Sequence, residues 1–159
     1  MIQQEKSEVT AYYQRFLDTL PPDSDYRQYR WIAEAWGEGA MADELGGLIA
    51  SGKKTASCTT WWEFIAEGGK VPALDLLTVV LDALGYPLCV IETYQIEVKR
   101  INEVSAEFAA LEGEGDLSYK YWRDAHWKYF TRTLKAIGKE PAEDMRVVCE
   151  RYRVVYKEE

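Results

Sequence analysis

Leu88-Cys89-Val90-Ile91-Glu92-Thr93-Tyr94-Gln95-Ile96-Glu97-Val98 is the stretch on which the fold turns. Its first half is nearly continuous in apolar and β-branched residues, and its second half alternates. It therefore reads as a strand with one face wet along part of its length. Leu76 to Leu81 is a second such run. Between the two, Asp82-Ala83-Leu84-Gly85-Tyr86-Pro87 has the turn-rich composition of a hairpin connection.

Upstream of this pair the pattern is helical. Residues 5–20 set Val9, Tyr12, Tyr13, Phe16, Leu17 and Leu20 at helical spacing before Pro21-Pro22. A second helix is expected over about 26–36, closed by Gly37-Glu38-Gly39, and a third with Met41, Leu45, Leu48 and Ile49 on one face. Downstream, Trp61-Trp62-Glu63-Phe64-Ile65 reads as a short aromatic helical turn, and residues 101–112 as a turn with a short helix around Phe108 and Leu111. Asp116-Leu117-Ser118 opens the longest helix, which ends near Gly138, and Val147 to Tyr156 forms a closing strand. Helices, then strands, then a helix before a last strand is an α+β order. It is not the regular alternation of a doubly wound sheet.

The 159 residues suit one ordinary domain. No apolar run approaches the ~18 residues that span a bilayer, and the first residues lack the layout of a secretory signal, so a soluble, cytoplasmic protein with no membrane partner is expected. Three cysteines (Cys58, Cys89, Cys149) without a Cys-x-x-Cys spacing argue against a disulfide framework and a structural zinc site. A single histidine, His126, removes every two-histidine metal motif. There is no Gly-rich phosphate loop, dinucleotide fingerprint or nucleophile elbow either, so no cofactor and no dedicated metal are expected.

The net charge is −8, but residues 115–159 carry 10 basic and 8 acidic side chains. A protein that coats duplex nucleic acid normally shows a strong basic excess, so long duplexes are excluded as partners. A small or single-stranded ligand held at a local pocket remains. The amphipathic segment 5–20 either packs on the domain or caps a homodimer.

The chemistry-bearing stretch is Gly52-Lys53-Lys54-Thr55-Ala56-Ser57, at a helix-to-strand junction. Residues two apart on a strand share a face, so Thr55 and Ser57 project together, opposite Lys54 and Ala56. A turn near Lys54 is needed to bring its amine onto the hydroxyls. The plainer alternative is a solvated lysine pair ending a helix. Glu92, in an otherwise apolar run, points either to solvent or into a cleft. His126 lies on the apolar stripe of the long helix, as a hydrogen-bonded core residue or a ligand contact. Trp122 serves that helix's packing or a base stack. Asp43-Glu44 and the acidic loop from Glu112 to Asp116 are solvated loops or weak cation holders.

Across about 26–157 the chain resembles the ASCH domain family of the PUA-like superfamily. The resemblance rests on Trp36, Met41-Ala-Asp-Glu-Leu45, Gly52-Lys-Lys-Thr-Ala-Ser57, Trp62-Glu63, Cys89-Val-Ile-Glu-Thr93, Phe108 to Asp116, Tyr121-Trp122-Arg123, His126-Trp127 and Val148-Cys-Glu-Arg151. It implies a small β-barrel flanked by helices over 26–159, preceded by a helical extension over 1–25. It further implies an RNA- or nucleoside-directed protein, in the first reading one hydrolysing an amide on a modified cytosine-type nucleoside, such as N4-acylated cytidine. The alternatives are a non-catalytic RNA- or nucleotide-binding module and a metal-assisted ribonuclease.

By that resemblance Lys54, Ser57 and Glu112 are catalytic; Lys53, Thr55, Trp62, Glu92, Trp122 and His126 are the expected ligand-binding residues beside them. A partly buried Lys54 with a lowered pKa would take the Ser57 proton, and Glu112 would pass it to the leaving amine. Modified nucleoside or short single-stranded RNA would be the partner. Two positions depart from the family pattern: Thr59 stands where an Arg is common, and Leu74-Asp75 where a Gly-Asp pair is usual.

Overall fold

The structure is a computed structural model and describes residues 2–159. Five strands and five α-helices follow one another along the chain. These are α1 (Ile2–Asp18), β1 (Arg30–Glu34), α2 (Ala40–Ala50), β2 (Ala56–Thr60), α3 (Trp61–Ala66), β3 (Leu76–Leu81), β4 (Pro87–Arg100), α4 (Ala106–Leu111), α5 (Tyr119–Leu134) and β5 (Arg146–Tyr156). The strands pair in the order β1-β3-β4-β5-β2, with β1 parallel to β3, β3 antiparallel to β4, and β2 antiparallel to β5. The expected α+β class holds. Its strands form an open order with β1 and β2 at the ends, rather than a closed barrel.

The chain divides into two compact units. The first takes the chain up to Gly52, Leu74–Thr93 and Tyr152–Glu159. Here the apolar stripe of α1 does what its spacing promised: Val9, Tyr12, Tyr13 and Phe16 are buried with Leu77, Val79 and Val90. Tyr13 stacks on Trp31 at 4.3 Å between ring centroids. A second cluster holds Ile49, Val80, Cys89, Ile91 and Tyr152.

Two expectations fail in this unit. Residues 26–36 do not form a helix: Asp25–Gln28 is a single 3-10 turn, and Arg30–Glu34 is β1. Register pairing of Arg30 with Leu76 through Glu34 with Val80 satisfies that backbone, and a long-range partner of this kind overrides local helical spacing. On α2 the buried residues are Ala42, Gly46 and Ile49, while Met41 is exposed. The helix turns its small residues inward because β3 and β4 come close: a Cβ on Gly46 would collide with Leu88 Cδ1 and approach the Leu81 carbonyl.

The second unit takes Lys53–Ala73 and Tyr94–Arg151. Its core gathers Ala56, Ile101, Val104, Phe108, Phe130, Leu134, Met145, Val147 and Cys149, with Trp122 among them. Its helices start on side-chain caps. Ser105 accepts from the Phe108 N–H at 3.1 Å and Ser118 from the Tyr121 N–H at 3.0 Å. Thr60 accepts from the Glu63 N–H while its hydroxyl donates to the Glu63 carboxylate at 2.7 Å, which fixes the start of α3. Among the described residues no helix is long and apolar enough to cross a membrane.

Candidate functional site

The site lies within the second unit, where the segment before β2 runs across the end of α4. The Thr55 N–H donates to the Leu111 carbonyl at 2.8 Å, and its hydroxyl reaches the same oxygen at 3.4 Å. Glu112 is the residue that ends α4, and Gly113 follows with φ +70°. A Cβ at Gly113 would fall inside van der Waals contact of the Lys53 carbonyl, so this close crossing requires glycine. The crossing puts the Lys54 side chain, 3% exposed, against two carboxylates. Its ammonium donates to Glu112 Oε1 at 3.1 Å, to the Glu112 carbonyl at 3.3 Å and to Glu114 Oε2 at 3.1 Å. Three donors thus meet three acceptors.

Helix α5 supplies the other wall. Trp122 and His126 are one turn apart, share a face, and stack at 4.4 Å between centroids. The Trp122 indole N–H donates to Glu112 Oε2. His126 Nδ1 lies 2.8 Å from the Trp122 carbonyl and Nε2 lies 3.2 Å from Glu112 Oε1. A carbonyl only accepts, so Nδ1 carries a proton. Nε2 then faces a carboxylate oxygen, and that contact is attractive only with a proton between them. Lys54 and Trp122 already donate to the two Glu112 oxygens, which keeps the carboxylate ionised and places the shared proton on Nε2 as an imidazolium.

Electrostatics agree with the geometry. Burial alone would neutralise all three groups, but their mutual attraction outweighs it. Burial pulls Lys54 down, yet Glu112 and Glu114 hold its pKa above the ordinary value. Burial pushes Glu112 up, yet Lys54 and His126 hold it below the usual carboxylate range. Burial pulls His126 down, yet Glu112 raises it above the ordinary imidazole value. The cluster thus sets Lys54 and His126 against the carboxylates of Glu112 and Glu114. The expectation of a Lys54 with a lowered pKa is therefore corrected. Its carboxylate partners keep it an ammonium, suited to stabilise negative charge rather than to take a proton.

Lys54, Glu112, Trp122 and His126 are thus brought together. Ser57 pairs with Glu150 in register on β2 and is half-buried, as is Thr55, whereas Lys54 and Ala56 are buried, in keeping with the expected two faces. Lys53 is exposed beside the crossing. Trp62 packs half-buried on the core that contains Trp122. Glu92 belongs to the other unit, where its Oε2 accepts from the Tyr26 hydroxyl at 2.7 Å and from Arg153 Nε at 3.1 Å. Sequence reasoning missed Glu114 as a partner of Lys54. Its signal is Gly113, which allows the crossing that aims Glu114 at the ammonium. Cys58 and Cys149 face each other across β2 and β5, and burial, with Cys149 beside it, pushes the Cys58 thiol well up.

A cavity of about 10 Å³ beside the cluster is lined by Ala109, Glu114, Tyr121, Trp122, Ala125 and His126, enough for about one water. Tyr121 is 42% exposed at its mouth.

Residues 32–156 match the family model of the ASCH domain. The chain belongs to the ASCH domain family. A high-resolution crystal structure of an ASCH domain from Lactobacillus crispatus JV V101 superposes with a TM-score of 0.88 at 32% identity, covering 94% of this chain and 95% of that one. A crystal structure of a DUF984 protein from Enterococcus faecalis V583 gives a TM-score of 0.75 at 31% identity, covering 94% and 88%. No curated protein matches the chain. The region matched by the family model begins within β1 and so leaves α1 outside it.

Proposed function

We propose that this ASCH protein acts on a nucleoside or on short single-stranded RNA, and that it hydrolyses an amide on a modified cytosine-type base. The observation that carries the reading is Glu112, a carboxylate whose side chain is only 2% exposed and which is held ionised between Lys54 and His126. A buried ionic cluster is a poor way to stabilise a fold, because apolar residues of similar volume do as well or better. Strongly perturbed titratable groups gathered at one place are a mark of working chemistry.

In the proposed reaction the Ser57 hydroxyl, which lies on the face of β2 opposite Lys54, is brought onto the acyl carbon by a shift of the segment before β2, and the Lys54 ammonium stabilises the oxyanion that forms. Glu112 takes the hydroxyl proton and delivers it to the exocyclic nitrogen as the C–N bond breaks. His126 holds Glu112 in register. Water then releases the acyl group from Ser57 as a carboxylic acid.

One observation favours a second reading, a binding module without turnover. The three donors of Lys54 are already matched, and the adjoining cavity admits one water, so a ligand must displace Glu114 and Tyr121 to reach Glu112. Incubation with N4-acetylcytidine and with short single-stranded RNA, with and without Mn²⁺, followed by chromatography, separates the readings. Cytidine and acetate formed without metal support the hydrolase. RNA shortened only with Mn²⁺ replaces it with a nuclease, and retention without turnover replaces it with the binding module.

A further inference from the structure

A second concave feature of the same unit is used by none of the chemistry above. Trp61 and Trp62 open α3 and face Ala142, Asp144, Met145 and Arg146 across a groove of about 240 Å³. That is below the range of pockets for drug-sized ligands and suits one flat ring system. Two cations lie over the indoles. Arg146 Cζ sits 4.9 Å from the Trp61 ring centroid, and Lys139 Nζ sits 5.5 Å from that of Trp62. Both cations are exposed, and among the described residues neither enters an ion pair.

Packing accounts for Trp62, which rests on the unit's core, but not for Trp61. Trp61 belongs to none of the three core clusters; its one ring neighbour is Phe64 at 5.4 Å, also half-buried. A large half-buried indole outside the core, with a guanidinium that enters no ion pair among the described residues over its face, is a stacking platform with a charge beside it.

The geometry points to a nucleotide site: a base stacks on Trp61 within the Trp61–Trp62 groove, and Arg146 and Lys139 move from the indole faces to its phosphate. An exposed cation–π contact is weak, and stacking of a base on an aromatic ring is stronger, so the exchange is favourable before the phosphate adds its charge. Asp144 on the groove wall disfavours a bare anion without a base. Charge complementarity supports the choice of ligand at the cations themselves, since Lys139 and Arg146 stand over the two indoles and neither enters an ion pair among the described residues. The inference rests on the nucleic-acid reading above for its ligand class alone. The shared chemistry is a base with its phosphate, whether a free nucleotide or one unit of single-stranded RNA.

The test is binding of unmodified probes, so that failure to hydrolyse an acylated nucleoside does not bear on it. Anisotropy of a fluorescein-labelled RNA hexamer and calorimetry with cytidine and adenosine monophosphates are measured on the full chain. Trp61→Ala is expected to weaken binding on the order of tenfold, Trp61→Phe to retain most of it, and Arg146→Gln to weaken it and reduce the salt slope by about one. Binding of the monophosphates identifies a free-nucleotide site, and binding of the hexamer alone identifies a strand site; both support the inference. Binding by neither, or unchanged affinity in a Trp61→Ala variant with wild-type circular dichroism, overturns it.

Discussion

Glu92 and Glu112 are two buried carboxylates, one in each unit of the chain, and their surroundings are unlike. Glu92 accepts from Tyr26 and from Arg153, whose side chain is 59% exposed, so water screens one side of that pair. Glu112 has only buried or nearly buried groups against its two oxygens: Lys54, Trp122 and His126. Depth of the carboxylate alone does not separate them, since both are under a tenth exposed. The exposure of the partner does. A charge whose counter-ion is wet can be lost cheaply, whereas a charge whose counter-ions are dry leaves them stranded when it goes.

The largest effect should follow from Glu112→Gln. Removing the anion strands the Lys54 ammonium, and urea unfolding should show a loss of roughly 3–5 kcal/mol. A loss near zero would mean that the cluster is wetter than its geometry and would erase the contrast with Glu92.

Next comes turnover, under the hydrolase reading. Ser57→Ala and Glu112→Gln should each slow release of cytidine from N4-acetylcytidine by on the order of 10². As parts of one unit, they should combine to little more than the poorer single variant. Losses that multiply would assign the two residues to separate tasks.

The pH dependence of stability sharpens the comparison from another side. Glu112 has its folded pKa depressed below 4.5, so its contribution is present above that value and fades as pH falls through the folded pKa. His126 has its folded pKa raised above 6.5, so its contribution is complete below that value and fades as pH rises through the folded pKa. The His126–Glu112 pair should therefore contribute fully between about 4.5 and 6.5 and lose strength on both sides. Melting curves across pH should show this maximum in the wild type and flatten in Glu112→Gln.

The smallest effect belongs to the other unit. Glu92→Gln keeps an acceptor for the Tyr26 hydroxyl and gives up only a half-wet ion pair, so its stability should fall by no more than about 1 kcal/mol. A loss as large as that of Glu112→Gln would show that partner exposure is not what distinguishes the two sites.

How much of this was legible in the sequence follows from the range of the interactions. Segments decided by their own pattern read correctly: the stripe of α1, the aromatic turn at Trp61–Ala66, and the β3–β4 hairpin around Gly85. Arg30–Glu34 did not, because its residues suit a helix locally and become a strand only through pairing with Leu76–Val80, some 46 residues away in the register. The site was legible only through family resemblance, since Lys54 and Glu112 are 58 residues apart and no local spacing joins them. Composition also could not give the protonation state of Lys54. Burial and counter-charge push it in opposite directions, and only the three acceptors around its ammonium decide the sign.

His126 is the chain's only histidine, so its ring resonances report on the cluster without ambiguity. An NMR titration of the ¹³C-labelled imidazole should give a pKa above 6.5 in the wild type, falling back to that value or below it in Glu112→Gln. A wild-type His126 that titrates at or below 6.5, or one indifferent to Glu112→Gln, would contradict the imidazolium–carboxylate pair at the centre of the site.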